Sequence, residues 1–170
     1  MRQTTLTLAA ICVVLFTSIA LLGQSVEAPT GWSVSQVAEK TVYRLTDLPV
    51  SESFTLTVDP PSALESENVE KWFMDKVKAD ATKRGSFQET EPLRRGQLGL
   101  LSLERLYRGT GGRPWDVVYV GFPLMPHHAL FCLMSSNLAE SPSYSQYVHA
   151  AGKICGEIAK KTNKSAQTAK

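Results

Sequence analysis

The chain has 170 residues, 43% of them hydrophobic and 20% charged, with a formal net charge of +2. That length suits one domain behind a leader, and the composition is that of an ordinary globular protein rather than a disordered or fibrous one. A charge so close to balance, with no basic stripe interleaved with aromatics, argues against a nucleic acid partner.

The N-terminus reads as a targeting segment. Arg2 is a minimal positive region, and residues 6–22 (LTLAAICVVLFTSIALL) are uncharged and almost wholly apolar. The run falls short of the roughly 20 residues that comfortably span a bilayer, yet within the range of about 17 to 25. Val26-Glu27-Ala28 places small residues where a signal peptidase needs them, but Pro29 would follow the cut and oppose it. Cleavage nearer Ala20 or Ser25, or an uncleaved anchor, stays open. Residues 1–28 are therefore expected to be a signal peptide or an N-terminal anchor. The protein is expected to be periplasmic or secreted, or inner-membrane anchored if the segment is retained. Cys12 sits inside the apolar run without a lipoprotein context.

Residues 29–160 form the expected single domain. Residues 28–36 read as an irregular lead-in containing Trp32. Residues 41–45 (TVYRL) and 54–58 (FTLTV) alternate as strands, the second ended by Asp59-Pro60-Pro61. Val69, Trp72, Phe73, Val77 and Ala81 recur at helical spacing and predict a helix over 68–84, with Ser66 as N-cap and Gly85 beyond its end. Residues 87–91 read as a strand stopped by Pro92, and 94–96 as a turn. Residues 98–107 fit helix or strand; the flanking glycines favour a strand, which would place Leu101, Leu103, Arg105 and Tyr107 on one face. Residues 109–114 (GTGGRP) read as a hairpin connection.

The spine is residues 115–137, two apolar runs joined by Pro-Leu-Met-Pro-His-His. Trp115, Val117 and Tyr119 face one way, and Asp116, Val118, Val120 and Phe122 the other. On the returning run Leu130, Cys132 and Met134 oppose Phe131 and Leu133. Strands apolar on both faces belong at the centre of a sheet covered twice. A last helix begins at Ser141-Pro142-Ser143 and carries Tyr144, Tyr147, Val148, Ala151, Cys155 and Ile158. Residues 161–170 have no apolar period and are expected to be a disordered tail. The expected fold class is α+β, an antiparallel meander flanked by two main helices.

Two cysteines, Cys132 and Cys155, remain beyond the leader. Export favours a disulfide between them, which would close a loop contributing on the order of 3 kcal/mol. Two buried free thiols are the alternative. His127 and His128 are adjacent potential ligands, but no further ligand is near in sequence unless His149 approaches. The pair reads as a solvated turn, and neither a metal nor a cofactor is expected. No G-x-S-x-G, H-E-x-x-H, C-x-x-C or Walker loop is present, so no catalytic residue is assigned. Asp116 beside Arg113, and Glu104 beside Arg105, read as surface charges. Trp32 is a candidate groove cover or partner contact.

The order helix, meander, C-terminal helix, preceded by Gly31-Trp32 and FTLTVDPP, resembles the PsbP-like superfamily. The resemblance implies an α/β/α sandwich that acts by binding, usually without catalysis, and carries over no functional residue. The expected function is an exported, non-catalytic envelope or periplasmic protein that engages a protein partner. The alternatives are a small-molecule or lipid carrier with a cleft between sheet and helices, and a hydrolase lacking a recognisable motif.

Overall fold

Two helices take opposite faces of one antiparallel sheet. The computed structural model describes residues 26–65, 68–108 and 114–168. The elements in chain order are β1 Trp32–Val37, β2 Lys40–Leu45, β3 Phe54–Val58, β4 Ser62–Ala63, α1 Val69–Arg84, β5 Phe87–Arg95, β6 Leu101–Arg108, β7 Pro114–Leu124, β8 His128–Ser136 and α2 Tyr144–Thr168. The 8-stranded sheet runs β1-β2-β3-β8-β7-β6-β5, and β4 adds to the near end of β8. All pairings are antiparallel. The fold class is α+β, as the sequence predicts.

The alternation along β7 and β8 sorts the core into two layers. Val117, Tyr119 and Phe131 pack with Phe73, Val77 and Ala81 of α1. Val118, Val120, Leu130, Cys132 and Met134 pack with Ala151, Ile154, Cys155 and Ile158 of α2. Successive strand residues point to opposite faces, so one register fixes both layers. Gly121 of β7 allows α1 to sit this close: a Cβ there would lie 2.7 Å from the Phe73 ring.

Several boundaries depart from the sequence reading. Trp32–Val37 is a strand, because Ser33, Ser35 and Gln36 occupy an edge where polar residues can pair and still meet water. Asn68, not Ser66, caps α1, its Oδ1 accepting from Lys71 N at 2.9 Å. β5 continues past Pro92 to Arg95, with register shifts on either side of Glu91. An edge strand tolerates such a proline because one side of its backbone needs no partner. Gln97–Gly99 forms a 3₁₀ turn and β6 begins only at Leu101. The connection at 109–113 lies outside the described residues, as does the apolar segment at 6–22.

The expected tail is largely helix. α2 runs to Thr168, so residues 161–168 continue it. Lysine, alanine and glutamine there are good helix formers on a helix already anchored by Ile158 and Ala159. Asn163 also ties this part to the sheet, its Oδ1 accepting from Met125 N at 2.8 Å. No helix among the described residues is long and apolar enough to cross a membrane.

Candidate functional site

The cysteines meet, as the packing of α2 across β8 requires. Cys132 and Cys155 are both fully buried, and their sulfurs lie 2.6 Å apart as free thiols rather than a disulfide. Burial pushes the Cys132 thiol well above its ordinary range, and Cys155 beside it adds to the effect. Such a thiol is a poor nucleophile.

The histidines do not form a centre. His127 is exposed in the β7–β8 turn with a φ of 50°, and His128 donates from Nδ1 to Pro126 O at 2.6 Å. His149 is exposed on α2. Among the described residues no group of three His, Cys, Asp or Glu side chains is placed to hold a metal. Trp32 packs edge-on against Phe54, ring centroids 5.7 Å apart, and part of its surface stays exposed.

Asp116 is not the surface charge the sequence suggested. It is 2% exposed, on the α2 side of β7. Leu106 and Ser136 are its register neighbours, and Glu104 lies diagonally from it on β6. The Tyr144 hydroxyl, from the first turn of α2, donates to Asp116 Oδ2, while Oδ1 is buried without a partner. Burial, and then the charge of Glu104, push the Asp116 carboxyl up to about 7. A proton on Asp116 relieves the repulsion between the two acids.

A second polar network fastens α1 to the sheet. Tyr119 donates to Asp80 Oδ2 at 2.8 Å and shares a 2.7 Å hydrogen bond with Tyr107. Arg84 Nε donates to the same Asp80 oxygen at 2.6 Å, and its other end reaches Ser135 Oγ. The single Tyr119 proton goes to Asp80, so Tyr107 supplies the proton between the rings. Burial, and then the bond to Tyr107, hold the Tyr119 phenol far above its ordinary range. The groups satisfy one another.

One charged group is left incompletely paired beside open space. Arg105 of β6 is only 8% exposed and stands on the α1 face, opposite Glu89 of β5. Its guanidinium lies 3.9 Å from the centre of the Phe87 ring, reaching outward over β5. The nearest carboxylate oxygen, on Glu89, is 3.6 Å away, too far for a hydrogen bond, and Arg105 Nε is buried without a partner. Arg105 and Phe87 form the floor of an open groove of about 460 Å³ whose wall is Met74, Lys78, Ala81 and Thr82 of α1. Gly85, with a φ of 92°, turns the chain from helix to strand at one end of it.

The groove exists because α1 covers β6, β7 and β8 but leaves the Phe87 end of β5 open, meeting β5 farther along, where Arg95 donates to Glu70. It is the candidate binding site. The signal for it was in LSLERLY, where strand alternation puts a lone arginine among Leu101, Leu103 and Tyr107. Compared with models of known protein families and with curated proteins, the chain matches none.

Proposed function

We propose that the chain is an exported, non-catalytic binding protein of the cell envelope or periplasm that engages a protein partner. The observation that carries this reading is the groove between α1 and the edge strand β5, with Arg105 buried and underpaired in its floor. A concave surface with apolar contacts and a few placed charged groups, here buried Arg105 with Lys78 and Asp75 on the wall, is the usual make-up of a recognition site. Phe87, beside Arg105 in the groove floor, is 44% exposed, an aromatic of the kind that anchors protein interfaces. The apolar segment at 6–22 supports export, and in an oxidising compartment Cys132 and Cys155 would form a disulfide. Kinship with PsbP-like proteins belongs to the same reading, supported by two helices sandwiching an antiparallel sheet.

Carriage of a small apolar molecule is the weaker alternative. It asks for a cavity between sheet and helix, and Phe73, Ile154 and Cys155 fill both of those interfaces.

The test is site-specific crosslinking in the native envelope, with benzoylphenylalanine at position 87 in the groove or at position 157 on the exposed side of α2. One defined partner captured from position 87 and not from 157, and lost when Arg105 is replaced, is the expected result. Equal capture from both positions, or none from 87, overturns the reading.

A further inference from the structure

We infer that the α1–β5 groove receives the carboxy-terminal residue of the partner polypeptide, its α-carboxylate on Arg105 and its apolar side chain between Met74, Ala81 and Phe87. This deepens the binding reading above and rests on it.

The charge comes first. A guanidinium carries five N–H donors in a planar fork that matches a carboxylate in two parallel bonds. Burying it without such partners is costly. Among the described residues the carboxylate nearest Arg105 is that of Glu89, at 3.6 Å, and its side chain is 43% exposed. That acid is long of reach and free to turn into water, so it holds the site weakly. An incoming carboxylate that displaces it would meet an arginine already oriented by its stack on Phe87. Preorganisation of this kind lowers the entropic cost of binding. Lys78 on the wall adds a second positive charge, while Asp75 beside it is engaged by Lys71 at 2.7 Å.

The apolar part follows from the lining. Met74 and Ala81 face Phe87 across the groove, and methionine adapts its shape to what it meets.

The third element is the edge. β5 is the last strand of the sheet, and among the described residues no strand pairs with its outer side. Its ladder with β6 is regular over Phe87, Gln88 and Glu89, the stretch beside the groove, and shifts register only beyond. An extended chain can add to that edge through backbone hydrogen bonds, as in other strand-addition complexes. A free terminus is favoured over an internal acidic side chain because one residue must then supply both the carboxylate and the apolar contact.

The experiment titrates the purified full chain with acetyl-Ala-Ala-Ala-Leu as the free acid, the same peptide as its amide, and octanoate, read by calorimetry. The free acid is expected to bind at least about tenfold tighter than the amide, as charge-assisted bidentate pairing implies. Arg105→Met should remove that preference and Arg105→Lys restore only part of it. Glu89→Gln, which takes away the competing carboxylate, should tighten binding severalfold, a gain that a purely structural role for the Arg105–Glu89 pair would not produce. Equal affinity for acid and amide, or weaker binding by Glu89→Gln, overturns the inference even if Arg105→Met does not fold. Octanoate binding as tightly as the peptide acid also overturns it, making the ligand a free apolar acid. Crosslinking of a partner at position 87 together with equal acid and amide affinities would leave the binding reading standing and remove only the carboxy-terminal one.

Discussion

Tyr144 donates its hydroxyl proton to Asp116, joining the first turn of α2 to the middle of the sheet. The acid it meets faces Glu104 and carries a carboxyl raised to about 7. In the unfolded chain the same carboxyl ionises near about pH 4. Between those limits the folded state holds a proton that the unfolded state has lost. The stabilisation is therefore full at the acid end of the window and declines as pH rises through it, by up to about 1.4 kcal/mol per unit. Asp116→Asn should flatten this slope. Melting temperature measured from about pH 4.5 to 8 checks it, and an equal slope in the variant refutes the assignment.

The thiol pair makes a different prediction. Fully buried thiols resist alkylation in the native protein, and burial has also raised that of Cys132. Cys132 and Cys155 should label only after denaturation if the chain is kept reduced. If the chain is exported as proposed, oxidation by a disulfide-bearing catalyst would remove two electrons and two protons and form the bond. Mass spectrometry of the exported protein without reductant should then show the loss of two hydrogens and no alkylation even when unfolded. Two alkylated thiols in that sample exclude the bond.

At the N-terminus, Tyr43 receives a hydrogen bond from Val26 N at 3.0 Å and returns one to Val26 O at 2.8 Å. Val26 and Ala28 also pack on the α2 side of the core. A chain beginning at Pro29 leaves the Tyr43 hydroxyl without both partners. It should be less stable than a chain beginning at Val26 by about 1 to 3 kcal/mol. Denaturant unfolding of the two forms measures the difference. If processing keeps this contact, the mature N-terminus falls at or before Val26, and intact mass identifies it.

Gly121→Ala tests the α1 layer. The added methyl would lie 2.7 Å from the Phe73 ring, which is fully buried and cannot move aside. Destabilisation of about 1 to 3 kcal/mol is expected. Phe73→Leu in the same background should return part of it, and a neutral Gly121→Ala would show that α1 can shift.

Strong periodicity made much of this fold legible. The alternation over 115–135 sorted the side chains from Trp115 to Val120 and from Leu130 to Met134 into two faces that match the two layers, while Leu124, read as turn, belongs to the α2 layer; the stripe from Val69 to Ala81 located α1. Weak periodicity hid the rest. β1 is polar because it lies on an edge, and residues 161–168 are polar because that part of α2 projects beyond the core. The site was harder. Asp116 and Arg105 were each seen on an apolar strand face, yet neighbouring charges in sequence, Arg113 and Glu104, suggested a solvated surface. Adjacent residues in a strand point to opposite sides, so Glu104 and Arg105 never share an environment. The face, not the sequence neighbour, was the informative unit.

β8 stands in the middle of the sheet, yet among the described residues it is the last strand in chain order. Its contact with β3 joins Ser136 Oγ to Ser53 O, 83 residues apart. Until β8 has been made, the first three strands have no neighbour on their inner edge and β5 to β7 have none on theirs. Pairings so distant in sequence form late, because loop closure must precede the contacts that reward it. The two halves of the sheet are thus joined only when β8 pairs with both, and a chain lacking β8 carries two separate sets of strands with open inner edges.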